Sequence, residues 1–146
     1  MRAFLLIFAF FGLLSATACA DPIHEAAKKG DLAAITAALN AGADVNAPDK
    51  PAGPLFYAVQ NGHLDAAKLL IDRGADVNAM SEIGLPITVA ALKSYPDLII
   101  LLLAHGADPN SATKTQTMLH MAAANGCLDC VKALVEAGAD VNAQWI

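Results

Sequence analysis

The hexapeptide GADVNA occurs three times, at 42–47, 74–79 and 138–143, and a near copy, GADPNS, occupies 106–111. The four glycines Gly42, Gly74, Gly106 and Gly138 stand 32 residues apart. This periodicity limits the fold more than any other feature of the chain. A unit of this length cannot bury an apolar face by itself, so neighbouring units must stack to supply a core.

The rest of the unit repeats with the same spacing. The tetrads DPIH, GPLF, LPIT and TMLH begin at 21, 53, 85 and 117, and an alanine follows each at Ala26, Ala58, Ala90 and Ala122. Pro22, Pro54 and Pro86 suit the first position of a helix, where a missing N–H is harmless and φ is preset. Gly30-Asp31-Leu32, Gly62-His63-Leu64 and Gly126-Cys127-Leu128 read as turns into a second helix, with Ser94-Tyr95-Pro96 as the divergent third copy. That second helix is expected over 66–73 and 98–105, with Leu69, Leu70, Leu101 and Leu102 facing the stack. Asn46, Asn78, Asn110 and Asn142 close the units.

T-P-L-H-x-A, then G-H-L, then G-A-D-x-N-A resembles the ankyrin repeat, whose usual length is 33. The resemblance covers essentially all of 21–146. It implies an all-α repeat solenoid of four stacked repeats, over about 21–47, 48–79, 80–111 and 112–146. Each repeat would be a helix-turn-helix with a short β-hairpin finger. Asn46 to Pro54, Asn78 to Pro86 and Asn110 to Met118 each span eight residues, so the residue missing from the 32-residue period falls in the finger. Lys28, Lys29 and Asp31 suit a polar N-terminal cap. At the other end, Trp145 and Ile146 either fold back over the last repeat or meet another protein.

The first twenty residues, MRAFLLIFAFFGLLSATACA, have the layout of a secretory signal: one basic residue, an apolar run from Ala3 to Leu14, then small residues. Cleavage is expected after Ala20. The apolar run is shorter than the roughly 20 residues a spanning helix needs. Ala16-Thr17-Ala18-Cys19 also resembles a lipobox, although Ala16 stands where leucine is usual, so a lipoprotein anchored at Cys19 is the alternative. The expected location is periplasmic or secreted, in a bacterium. Without residues 1–20 the chain keeps eight basic and fourteen acidic side chains, a net charge of −6. An acidic chain without a basic cluster is not built for nucleic acid or an anionic membrane surface.

The chemistry-bearing residues are few. His24 and His120 hold the T-P-L-H histidine position, which in the family bonds backbone near the helix start and next finger. His63 follows the inter-helix glycine, and His105 sits in a last helical turn, where a cation complements the dipole. Cys127-Leu128-Asp129-Cys130 is the one arrangement that suggests an enzyme, because a helix N-terminus lowers a thiol's pKa. Cys130 equally suits a small apolar position, the place of Ala66 and Leu98, and Cys127 stands where His63 stands. The pair therefore reads as inert thiols, as a disulfide, or as a thiol–disulfide redox pair, the last being the alternative function. Tetrahedral zinc would need a second pair of ligands. Asp44, Asp76, Asp108 and Asp140 belong to the repeat and should bond locally. No catalytic residue, metal or cofactor is expected.

A stack of ankyrin-like repeats presents a concave face of finger tips and first helices, and function lies where the repeats differ. Lys29, Lys50, Tyr57, Gln60, Glu82, Ile83, Val89, Leu92, Lys93, Met121 and Asn125 are the expected contact residues, with Tyr57, Ile83, Val89, Leu92 and Met121 as an apolar centre inside a charged rim. The resemblance thus implies a non-catalytic protein-interaction module. It would be a monomer bound to one protein partner, as an inhibitor or immunity protein or as a scaffold for an envelope or stress-response enzyme.

Overall fold

In the computed structural model of the chain, residues 22–48, 51–111 and 116–144 are described. They form eight helices: α1 (Pro22–Lys29), α2 (Leu32–Asn40), α3 (Pro54–Gln60), α4 (Leu64–Asp72), α5 (Pro86–Leu92), α6 (Pro96–Ala104), α7 (Met118–Ala124) and α8 (Leu128–Glu136). The odd-numbered helices pack in chain order, α1 on α3, α3 on α5 and α5 on α7, and the even-numbered helices form a second row in the same order. Each odd helix also packs on the even helix that follows it. The molecule is an all-helical repeat solenoid, as the resemblance implied.

Local sequence accounts for where helices start and stop. Pro54 and Pro86 open α3 and α5 at their first position. Thr117 caps α7 by accepting from the His120 N–H, and Asp31 caps α2 by accepting from Ala34. α4 and α6 begin two residues earlier than expected. In α6 the reason is Pro96, which occupies the first helical position. The helix ends are alike: the Gly42 N–H bonds Leu39 O and the Ala43 N–H bonds Ala38 O, a Schellman closure that requires Gly42 at φ 94°.

The core lies between the two rows of helices. Ile35, Leu70, Leu102 and Leu134 are fully buried, and Leu69 and Leu101 pack against this core while partly exposed. Ala58, Ala90 and Ala122 are fully buried on the first helices, where their small side chains let consecutive helices approach closely.

Polar bonds tie each unit to the next. The Asn46 side chain donates to Gly74 O at 3.1 Å and accepts from the Asp76 N–H at 2.8 Å. Asn110 repeats both bonds, with Gly138 O at 3.3 Å and the Asp140 N–H at 2.7 Å, and Asn78 donates to Gly106 O at 3.0 Å. The aspartates do bond locally: Asp44, Asp76, Asp108 and Asp140 each accept from the N–H two residues on, at 2.8–2.9 Å. Buried His24 donates from Nε2 to Ala47 O at 3.1 Å, and His63 donates from Nε2 to Lys28 O at 3.0 Å. His120 pairs through Nδ1 with Thr117 Oγ1 at 2.7 Å, and His105 donates from Nδ1 to Leu101 O at 2.9 Å. His24, His63 and His105 thus hold backbone, and His120 holds the Thr117 hydroxyl that caps α7.

The finger described in full, residues 79–85, differs from expectation. Among the described residues no strand pair forms, and Thr117 is the one bridge residue. What remains of a hairpin is a reciprocal pair between Ser81 and Gly84, with N–H···O bonds of 3.1 and 3.2 Å about Glu82-Ile83. Eight residues from asparagine to helix start, part of them spent on the Asp–Asn turn, leave room for one such pair.

Candidate protein-interaction face

The first helices and fingers expose a surface whose composition changes from unit to unit. Two equivalent positions close each first helix: Lys28 and Lys29, Gln60 and Asn61, Leu92 and Lys93, Ala124 and Asn125. Lys29, Asn61, Leu92, Lys93, Ala124 and Asn125 are exposed, while Lys28 and Gln60 are half-buried. The backbone beneath these side chains is fixed by its neighbours. Asn125 donates from its side chain to Leu92 O at 2.9 Å, and His63 bonds Lys28 O.

The apolar centre expected on this face is corrected in part. Tyr57 is 7% exposed, and Val89 and Met121 are 6% exposed, so these three belong to the interior. They precede the buried alanines Ala58, Ala90 and Ala122 by one residue, and the angular step between them leaves both inside the contact between helices. Leu92 and Ile83 are different, at 58% and 52% exposure. Leu92 lies at the end of α5 and Ile83 at a finger tip, so they are separate features of the face. Glu82 is exposed beside Ile83. Lys50 lies outside the described residues, as do residues 1–20, Trp145 and Ile146.

On the fingers, Met80 is an exposed apolar side chain that sequence reasoning missed, at 74% exposure before Ser81. The available signal was a second large apolar side chain, besides Ile83, in the short connection between Asn78 and Gly84. It lines a groove of about 490 Å³ with Val45, Pro48, Pro51, Phe56 and Glu82.

At the first unit the face carries a small charge network. Lys28 Nζ lies 2.8 Å from Glu25 Oε1 and 4.5 Å from the Tyr57 ring centroid, a salt bridge joined to a cation–π contact. The Lys28 hydrogen bond and charge hold the Glu25 carboxyl below the usual glutamate range. Buried Tyr57 thus acts on the face indirectly, by orienting the lysine above it.

Cys127 and Cys130 are joined as a disulfide, with Cα atoms 5.2 Å apart. Cys130 is fully buried and Cys127 half-buried. Cys127 Sγ also accepts from the Cys130 N–H at 3.3 Å, so it caps α8 as well as bridging it. Among the described residues no three His, Cys, Asp or Glu side chains converge as metal ligands, and no helix is long and apolar enough to cross a membrane.

The family model for ankyrin repeats (3 copies) matches residues 6–81 and again residues 82–144. No curated protein matches the chain. With paired helices, Asn–Gly links between units and a family match over most of its length, this chain belongs to the ankyrin-repeat family.

Proposed function

We propose that this chain, whose ankyrin repeats are in general protein-interaction modules, is a non-catalytic binding module that works in the cell envelope and takes one protein partner on the face of its first helices and fingers. The observation that carries this reading is a division of labour along the 32-residue period. Core alanines, inter-unit asparagines and turn aspartates recur from unit to unit, while the side chains on this face do not. Lys29, Gln60, Leu92, Lys93 and Asn125 with Glu82, Ile83 and Met80 give an apolar and charged mixture suited to a specific protein surface. One chain supplies the whole face, so this binding needs no second copy.

Export is supported by the signal-like layout of residues 1–20, and the Cys127–Cys130 disulfide suits an oxidising compartment. Within the envelope the partner is an enzyme or toxin that the chain inhibits, or an enzyme it scaffolds.

Cross-linked capture from envelope extract tests the reading, with Leu92→Asp/Lys93→Glu as the control. Both positions are exposed, so the variant should fold normally. One protein held by the natural chain and lost by the variant upholds the proposal. A partner set identical for both removes this face from the function. Adding the chain to a captured enzyme then separates inhibitor from scaffold, because only an inhibitor lowers the rate. The mass of the purified chain reads export: it begins at Asp21, carries lipid at Cys19, or retains residues 1–20.

A further inference from the structure

The outer surface of the even-numbered row changes character in the third unit. Lys68 and Asp72 stand four residues apart on α4, and Lys132 and Glu136 hold the equivalent places on α8. All four are exposed. Between them α6 has Ile100 and Ala104 at these positions, also exposed, Ile100 to 53%. Thr36 and Asn40 fill the same places on α2, so the third unit alone is apolar here. α6 packs on α4 at one side and on α8 at the other, so this surface lies within the row. Ile100 and Ala104 line a depression of about 310 Å³ with Leu103 on α6 and with Ala133 and Ala137 of the last unit. Ala137 is exposed, and it is small where the second and third units carry Arg73 and His105. The outer surface thus offers an apolar knob, Ile100, beside a hollow floored by alanines.

The charges on either side favour one kind of partner. On both α4 and α8 the lysine precedes the acid by four residues, the weaker order for a pair within one helix. Among the described residues none of the four is in an ion pair. A second copy laid face to face with its α6 antiparallel is related by a two-fold axis that runs along the row and passes midway between Ile100 and Ala104. That operation sets Lys68 opposite Asp72 of the copy and Lys132 opposite Glu136 of the copy, each pair twice. It also brings Ile100 of each copy over Ala104 and Ala137 of the other. A two-fold axis parallel to the helices would instead set Lys68 against Lys132 and Asp72 against Glu136.

We propose that this chain forms a two-fold dimer through the outer faces of α4, α6 and α8, with Ile100 of each copy seated in the alanine-floored hollow of the other. The sequence alone implied a monomer. This interface is isologous and closes on itself, so association stops at two copies. The ion pairs are exposed and set the register, while affinity rests on Ile100. Each of the three helices has nine residues. Such helices are about 14 Å long and about 10 Å apart, so the face covers roughly 400 Å² on each copy, in the range of weak, reversible association. The odd-numbered helices lie on the other side of the core, so the dimer leaves the first-helix face of both copies open and does not depend on its role.

Sedimentation velocity on the purified chain tests this, over about 1 to 500 µM to span weak association. Weight-average mass should rise with concentration toward twice that of one chain and go no further. Ile100→Lys introduces the residue that the second and fourth units have at this position, so the fold should be kept, as circular dichroism checks. It should weaken association about tenfold or more, because a charge replaces the apolar knob. Lys68→Glu/Lys132→Glu makes all four flanking charges acidic, and Asp72→Lys/Glu136→Lys makes all four basic. Each of these variants alone should associate more weakly than the natural chain, and an equimolar mixture should recover association. A natural chain that stays monomeric throughout, or that grows past two copies, would overturn the proposal. So would an Ile100→Lys chain that associates like the natural one, or a mixture no tighter than its two components alone.

Discussion

Tyr95 closes over Gly62 as His63 closes over Gly30. A Cβ on Gly62 would stand 3.0 Å from Tyr95 Cζ, and one on Gly30 would stand 2.7 Å from the His63 ring. In the second and third units the residue after the inter-helix turn thus lies on the turn of the preceding unit, and the third unit keeps this contact although its Ser-Tyr-Pro replaces Gly-His-Leu.

This packing separates two glycine effects. Gly62 has φ 74° and meets Tyr95, whereas Gly138 has φ 91° and has nothing within 4 Å of a built Cβ. Gly138→Ala should lower stability by about 1 kcal/mol, from backbone conformation alone. Gly62→Ala should lower it by about 2–3 kcal/mol, because the tyrosine must also shift. Urea unfolding followed by circular dichroism measures both, and equal losses would mean that the Tyr95 contact is soft.

Ser94 predicts a gain. It is the one non-glycine residue at positive φ among those described, at 59°, where Gly30, Gly62 and Gly126 stand at 69°, 74° and 69°. A left-handed non-glycine residue is strained, so Ser94→Gly should raise stability by about 0.5–1 kcal/mol. The same unfolding experiment decides it. A destabilised variant would show that the serine side chain contributes a bond stronger than the strain.

The Glu25–Lys28 pair predicts an acid-range response. Lys28 lowers the Glu25 pKa from the usual 4.5, through its hydrogen bond first and its charge second. A carboxyl whose folded pKa is depressed adds stability above its unfolded pKa and loses that contribution as pH falls through the folded value. A carboxyl-carbon NMR titration should place the Glu25 midpoint below 4.5, and Lys28→Met should return it upward. A midpoint unchanged by that substitution would assign the depression to other charges.

The Cys127–Cys130 bridge predicts a small stability effect and a clear chemical one. It closes a short loop of chain, so replacing it by Cys127→Ser/Cys130→Ala should cost about 2 kcal/mol or less. Alkylation without reductant should leave both residues unmodified. After reduction, two alkylated cysteines per chain mean that Cys19 is gone or carries lipid, and three mean that it is retained as a free thiol. Alkylation at Cys127 before reduction would return the pair to the free-thiol state.

The sequence made the helix pairs, the helix starts at proline and the glycine stops legible, because each depends on a residue whose local conformational preference is strong. The structural roles of His24, His63 and His120 also followed from their place in the repeat. Exposure did not. Tyr57, Val89 and Met121 looked like surface positions beside Gln60 and Leu92, and their burial is decided by how closely two helices approach, a distance set by alanines on other units. The hairpin at 81–84 was misjudged for a similar reason: residue count showed the finger to be short, but not that one Ser81–Gly84 pair would be all that forms there. Repeat 3 departs from the pattern at Ser94-Tyr95-Pro96, yet the strain at Ser94 and the Tyr95–Gly62 contact needed coordinates to be seen.

The asparagine links bear on how such a gene can change. Each joins residues 28 or 30 positions apart and is satisfied by whichever unit comes next. Recombination that adds or removes 32 codons in frame therefore leaves every surviving link with a correct partner. The loss of one codon within a helix pair moves its asparagine out of reach. Lineages of this protein should thus vary in length by whole units, with single-codon changes tolerated at the fingers, where this chain is already one residue short of the usual repeat.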